Sequence, residues 1–109
     1  MIILYGLPTC DTCRAARKAL ESAGKTVAFR DVRADPLDAE TLTRFHATLG
    51  DDLINRRSTT WRGLSEDERA GDPVALLTAH PTLMKRPVIE ANGTLTLGWD
   101  ANSQAIHLG

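Results

Sequence analysis

Ile2-Ile3-Leu4-Tyr5-Gly6-Leu7-Pro8-Thr9-Cys10-Asp11-Thr12-Cys13 follows Met1 and carries the clearest signal of the architecture. Ile2 to Tyr5 is a short apolar run stopped by Gly6 and Pro8, which predicts a buried strand. Beyond Cys13, Ala15, Ala16, Ala19, Leu20 and Ala23 recur at spacings of three and four. That pattern predicts a helix with one small apolar face, and Gly24 is a natural stop after its last turn. Val27 and Phe29, with Val32 beyond them, alternate with Ala28 and Arg30, so a second strand follows. Strand, helix and strand within about 30 residues make a βαβ unit, whose strands should run parallel.

Beyond that unit, Asp38 has the character of an N-cap. Leu42, Phe45 and Leu49 then form a helical stripe ended by Gly50. Asp51 to Arg69 is polar and weakly periodic. It predicts a short helical turn, a loop through Arg56-Arg57-Ser58 and a short helix near Glu66. Asp72-Pro73 is an N-cap and first-turn pair, and it opens a helix carrying Val74, Leu76 and Leu77 that Pro81 ends. Pro87-Val88-Ile89 starts a strand, Asn92-Gly93 is a hairpin turn, and Leu95 and Leu97 alternate after it. Ala101 to Leu108 is expected to form a last short helix. The order outlines an α/β thioredoxin-like fold with a helical insertion between its halves. In that layout the loop after the first strand carries the chemistry.

The chain has 109 residues, 25% charged and 42% apolar. These are ordinary values for one globular domain, and one domain over residues 1–109 is the expectation. Thirteen basic residues stand against 14 acidic ones. Direct nucleic-acid binding is therefore not expected, because a basic excess is what would draw a phosphate backbone. The longest apolar run is Met1 to Tyr5, too short for a membrane span. No Lys or Arg precedes Arg14, so a secretory leader is not expected and the chain reads as cytoplasmic. A monomer is the default expectation.

Cys10 and Cys13 are the only two cysteines. A bond between positions three apart closes almost no loop, so they are not a structural framework. A structural zinc site needs four ligands, and His46, His80 and His107 show no ligand-like spacing, so no metal is expected. Two inert core thiols are the bland alternative. Against it stands their position between a turn and a helix start. Unpaired N–H groups and the helix dipole there favour an anion and lower the pKa of a thiol. Cys10 is then the nucleophile. Cys13, almost one turn further on, can resolve a mixed disulfide formed at Cys10.

Three blocks stand in order along the chain: Leu4-Tyr5-Gly6-x-x-x-Cys10, Leu53-Ile54-Asn55-x-Arg57-Ser58-Thr59-Thr60-Trp61-Arg62, and His80-Pro81-x-x-x-Lys85-Arg86-Pro87-Val88. Together they resemble the ArsC family, from Met1 to about Trp99. That family holds glutaredoxin-linked arsenate reductases, Spx transcriptional regulators and YffB-like proteins. Cys10-Asp11-Thr12 and Thr59-Thr60-Trp61-Arg62 look most like the YffB-like branch, whereas Cys13 looks more like Spx.

The resemblance implies a thioredoxin-like fold and a thiol-dependent oxidoreductase with Cys10 as thiolate. It implies Arg86 as an oxyanion ligand just before a cis-proline, Pro87, and Arg57 as a second anion ligand. Guanidinium groups suit that work because their paired N–H donors match oxyanions and carboxylates. No bound cofactor is implied; glutathione is the implied co-substrate, and glutathione or glutaredoxin the partner. An Spx-like reading would add the RNA polymerase alpha subunit. Two departures weigh against arsenate: the reductases carry a histidine near Gly6 and a third arginine near Trp99. Asp11 also sets a carboxylate beside the nucleophile, which opposes thiolate formation.

The remaining candidates each have a plain structural reading. Arg14 is near enough to Cys10 to bear on its ionisation, while Arg17 and Lys18 read as a solvated face. Trp61 is a candidate wall of the site, and Trp99 reads as packing. Arg56 and Lys85 read as solvated neighbours of Arg57 and Arg86. His46 reads as a half-buried surface histidine, and His107, close to the C-terminus, is expected to be exposed.

Overall fold

The computed structural model describes all of residues 1–109. The chain forms two compact units, Met1–Val32 with Arg86–Gly109, and Arg33–Lys85. The first unit holds β1 (Ile2–Gly6), α1 (Asp11–Ser22), β2 (Val27–Asp31), β3 (Val88–Ala91), β4 (Thr94–Leu97) and α6 (Ala101–Leu108). Its sheet order is β2-β1-β3-β4. β1 and β2 run parallel, with Ile2 opposite Val27 and Gly6 opposite Asp31. β3 lies antiparallel to both β1 and β4, with Tyr5 opposite Val88 and Val88 opposite Leu97. Asn92 (φ 51°) and Gly93 (φ 80°) turn the β3–β4 hairpin. Two consecutive positive φ angles are what a tight two-residue hairpin needs.

The core of this unit follows from two periodicities. Residues two apart in a strand share a face, so Ile2, Leu4 and Gly6 of β1 look the same way. Along α1, Cys13, Ala16 and Leu20 share one side and are fully buried. These side chains meet in one cluster with Ile89, flanked by Phe29, Trp99 and Leu108. The small Ala16 lets helix and sheet approach closely, and burying Leu20 contributes about 1.5–3 kcal/mol. Trp99 thus sits in packing, as its sequence context predicts.

His107 departs from expectation. It is only 5% exposed, and its Nε2 lies 2.7 Å from Thr96 Oγ1, itself buried. The reason is helical phase: His107 lies four residues after the buried Ser103, on the inner side of α6. Proximity to the terminus is a weaker guide than the 3.6-residue repeat.

The second unit is all helical, as the predicted insertion between β2 and β3. It holds α2 (Ala39–Leu49), a 3-10 turn (Gly50–Leu53), α3 (Thr59–Arg62), α4 (Glu66–Arg69), α5 (Pro73–Ala79) and a 3-10 turn (Pro81–Leu83). Asp38 and Asp72 cap α2 and α5 through the N–H groups of Thr41 and Ala75. Ser65 and Glu68 form a reciprocal capping box at α4. α3 was not foreseen from the polar stretch, because four residues give no periodic stripe. Its signal is Ser58, whose hydroxyl accepts from Trp61 N–H at 3.1 Å. Within this unit Phe45, Leu53, Leu77, Leu83 and Met84 are buried.

Candidate active site

The turn after β1 delivers Cys10 to the N-cap of α1. Cys10 N–H donates to Leu7 C=O at 3.1 Å, closing the Leu7-Pro8-Thr9 turn, and Cys10 C=O accepts the first helical bond from Arg14 N–H at 3.0 Å. Its backbone is extended (φ −82°, ψ 117°), as an N-cap requires. An N-cap side chain accepts from the N–H three residues on. In this helix that donor is Cys13, whose backbone N–H lies 3.4 Å from Cys10 Sγ. The two-residue spacer is therefore what makes the second cysteine the cap partner of the first. Both are free thiols, Cys10 half-buried and Cys13 fully buried.

Partial burial is the largest single influence on the Cys10 thiol, and it works against ionisation. In sum it is outweighed. The Cys13 thiol and Cys13 N–H donate to the Cys10 sulfur, and the Arg86 guanidinium adds a hydrogen bond and its charge, so the Cys10 pKa falls below 9.0. Cys13 moves the other way, pushed up to about 12 by burial, by its hydrogen bond to Cys10 and by the Cys10 negative charge; a backbone hydrogen bond at Leu7 and the Arg86 charge offset only part of this. One thiol is thus easier to ionise than an ordinary cysteine and the other harder.

Arg86 is half-buried and immediately precedes β3. The Arg86–Pro87 peptide bond is cis. Pro87 is buried, and its C=O accepts from Gly98 N–H at 2.8 Å. Cys10, Cys13 and Arg86 therefore form one hydrogen-bonded group, with Pro87 adjoining it. Arg14 does not join them: its guanidinium pairs with Asp11 at 2.8 Å, both side chains largely exposed. That pair draws the Asp11 carboxylate to Arg14, and the Cys10 thiol is lowered with Asp11 in place.

Arg57 belongs to the Arg33–Lys85 unit and is exposed. Asn55 shapes its loop: the side-chain oxygen accepts from Arg57 N–H at 3.1 Å, and the Asn55 C=O accepts from the Ser58 hydroxyl at 2.8 Å. Arg56, Arg57 and Lys85 line a groove of about 360 Å³ with Asp52, Ile54 and Asn55, a basic setting suited to an anionic group. Trp61 does not line this groove but packs beneath two arginines. Arg56 and Arg69 lie over its ring, 5.5 and 5.4 Å from its centre, and Arg69 also donates to the Trp61 C=O at 3.2 Å.

Sequence reasoning missed the part played by Gly6. A Cβ there would fall on the Cys13 sulfur and lie 3.2 Å from Cys13 Cβ. The available signal was the strand phase, which puts position 6 on the same face as Ile2 and Leu4, toward α1.

Known proteins share this fold. The chain is similar to a solved structure of a protein named YffB, at 33% identity over 100% of both chains and a TM-score of 0.91. It is also similar to an arsenate reductase (ArsC) related protein from Brucella melitensis, at 40% identity over 95% of this chain and 92% of that one, with a TM-score of 0.75. The global transcriptional regulator Spx of Bacillus subtilis is 29% identical over 106 residues, 92% of this chain and 81% of the relative. The ArsC family profile matches residues 5–105, a span holding both cysteines, Arg57, Arg86 and Pro87. With the thioredoxin-like α/β fold and a polarised thiol pair at the head of α1, the chain belongs to the ArsC family.

Proposed function

We propose that this protein is a thiol-dependent oxidoreductase in which Cys10 is the nucleophile, Cys13 the resolving thiol, and glutathione or glutaredoxin the reductant. The observation that carries this reading is the Cys10 sulfur at the N-cap of α1, accepting from Cys13 N–H at 3.4 Å while Arg86 favours its anion.

The chemistry follows from the two opposed thiols. The Cys10 thiolate attacks one sulfur of a disulfide, forms a mixed disulfide and expels the other sulfur as a thiolate, which takes up a proton. Once Cys10 is bonded it no longer carries the negative charge that raises Cys13. Cys13 then gives up its proton more readily and attacks the Cys10 sulfur. The substrate thiol leaves, and a Cys10–Cys13 disulfide remains. Two glutathione thiols, or one dithiol glutaredoxin, return the pair to the reduced form while being oxidised to a disulfide themselves.

Intact mass after exposure of the reduced protein to oxidised glutathione tests this directly. The expected products are a transient glutathione adduct and then the protein lighter by two hydrogens. Cys10→Ser should form neither, and Cys13→Ser should stop at the adduct. Two thiols that stay unmodified would remove the oxidoreductase reading. An arsenic-bearing adduct formed from arsenate and glutathione, dependent on Arg86, would move the assignment to arsenate reduction.

The likeness to Spx favours a second reading, a redox-responsive regulator in which oxidation of Cys10 and Cys13 alters a protein interface. Retention on the RNA polymerase alpha subunit that changes with oxidation would support it. Retention by neither form would dismiss it.

A further inference from the structure

Gly6 and Cys13 compete for one volume. Gly6 ends β1 on the face shared with Ile2 and Leu4, its C=O accepts from Val32 N–H at 3.0 Å, and the residue is buried. Its missing side chain would point at α1. There it would meet the Cys13 sulfur at less than van der Waals separation, Cys13 Cβ at 3.2 Å and Leu4 Cδ2 at 3.4 Å. The Cys13 sulfur belongs to the cluster of Ile2, Leu4, Ala16, Leu20 and Ile89, with Cys10 packed against it. A methyl at position 6 must therefore displace that sulfur, and close-packed interiors answer an added methyl with side-chain and backbone shifts.

We infer that Gly6 is a positioning residue. By carrying no side chain it leaves the Cys13 sulfur seated against Cys10, and so assigns release of the mixed disulfide to Cys13 rather than to a second external thiol. The inference rests on the oxidoreductase reading and deepens it. With Cys13 seated, its thiolate attacks the Cys10 sulfur, the Cys10–substrate S–S bond breaks, and the substrate leaves as a thiolate that takes the proton Cys13 gave up. With Cys13 displaced, the same bond waits for an external thiol such as glutathione. That thiol attacks the substrate-side sulfur, leaves as the oxidised disulfide with the substrate, and returns Cys10 as a thiol. A side chain at position 6 would thus turn a two-thiol protein into a one-thiol protein without touching either cysteine.

Full-length wild type, Gly6→Ala, Cys13→Ala and the double variant test this. Each is loaded with oxidised glutathione, freed of excess reagent, and followed by intact mass. The pH dependence of Cys10 alkylation and the thermal midpoint are read in parallel. Wild type should release its glutathione unaided. Gly6→Ala should hold the adduct at least about tenfold longer, close to Cys13→Ala, because proximity of the attacking thiol is what has been lost. The alkylation midpoint of Cys10 should rise in Gly6→Ala as in Cys13→Ala. Adding Gly6→Ala to Cys13→Ala should change neither readout and should cost less thermal stability than it does in wild type.

Release at the wild-type rate from Gly6→Ala would overturn the inference. So would an equal loss of thermal midpoint in both backgrounds, which would make Gly6 a purely structural glycine. If Gly6→Ala fails to fold, a folded double variant supports the competition and an unfolded one refutes it. If wild type takes no glutathione at all, the oxidoreductase reading fails by itself, and the alkylation midpoints still decide the role of Gly6.

Discussion

The backbone N–H of Cys13 and the sulfur of Cys10 stand 3.4 Å apart, donor facing acceptor, across the N-cap of α1. Side-chain capping of a helix is ordinarily done by oxygen. A sulfur in that role turns a stability device into a chemical one, since the N–H that helps open the helix also favours the ionised form of the thiol.

The pH at which each thiol reacts should separate the two cysteines. Cys10 is lowered from 9.0 and Cys13 is pushed up to about 12. The thiolate is the reactive form, so Cys10 should alkylate with a midpoint below 9.0 while Cys13 stays unlabelled throughout the neutral range. Peptide mapping after iodoacetamide treatment at a series of pH values checks this. Equal labelling of both would show that they are not polarised.

Arg86→Gln should raise the Cys10 midpoint, because it removes both a charge and a charge-assisted donor from the thiolate. At pH 7 the alkylation rate should fall about 3- to 10-fold, because a smaller fraction of Cys10 is then thiolate. Arg14→Gln should change it little, since Arg14 pairs with Asp11. Stopped-flow alkylation of the two variants gives the comparison.

Mild acid should loosen the first unit through His107. Burial lowers its pKa in the folded protein from 6.5. The unfolded chain therefore takes the proton first, and stability present above pH 6.5 is lost as pH falls from there to the folded value. Asp51, Glu68 and Asp100 are lowered from 3.8, 4.5 and 3.8 by hydrogen bonds from His46, Ser65 and Ser103 respectively. Their contributions are lost only below those values, in a separate window. Urea midpoints between pH 7 and pH 5 should drop for wild type and stay nearly level for His107→Gln.

Leu20→Ala should cost about 2–5 kcal/mol, the range for emptying a fully buried leucine site. Leu20 is 0% exposed and packs in the cluster that also holds Cys13. Chemical denaturation gives the loss. Cys10 should keep its alkylation midpoint in the folded variant, because the cap at the other end of α1 is untouched.

Much of this was legible along the chain because it is local. Ile2 to Tyr5 reads as a strand, the alanine and leucine spacing as a helix, and Asn92-Gly93 as a hairpin, each from neighbours a few residues apart. The N-cap position of Cys10 is equally local, because Gly6 and Pro8 stop the strand and leave a short turn. The four-residue helix Thr59–Arg62 escaped because it is shorter than the repeat by which helices are recognised. His107 was misjudged because its side of α6 depends on phase, while nearness to the terminus suggested solvent.

Local sequence alone sets the order of every strand and α-helix but the short helix α3, the parallel β1–α1–β2 unit and the place of the two cysteines at the start of one helix. Periodicity, turn chemistry and capping act over a few residues, so the residues themselves are enough. The pairing of β3 with β1, which sets Arg86 near Cys10 from the far end of the chain, comes from tertiary folding. So does the placement of Gly6 against the Cys13 sulfur and of His107 against Thr96. Those contacts join residues on different elements. They exist once strand pairing and burial have closed the intervening chain, and no local pattern records the distances that closure produces.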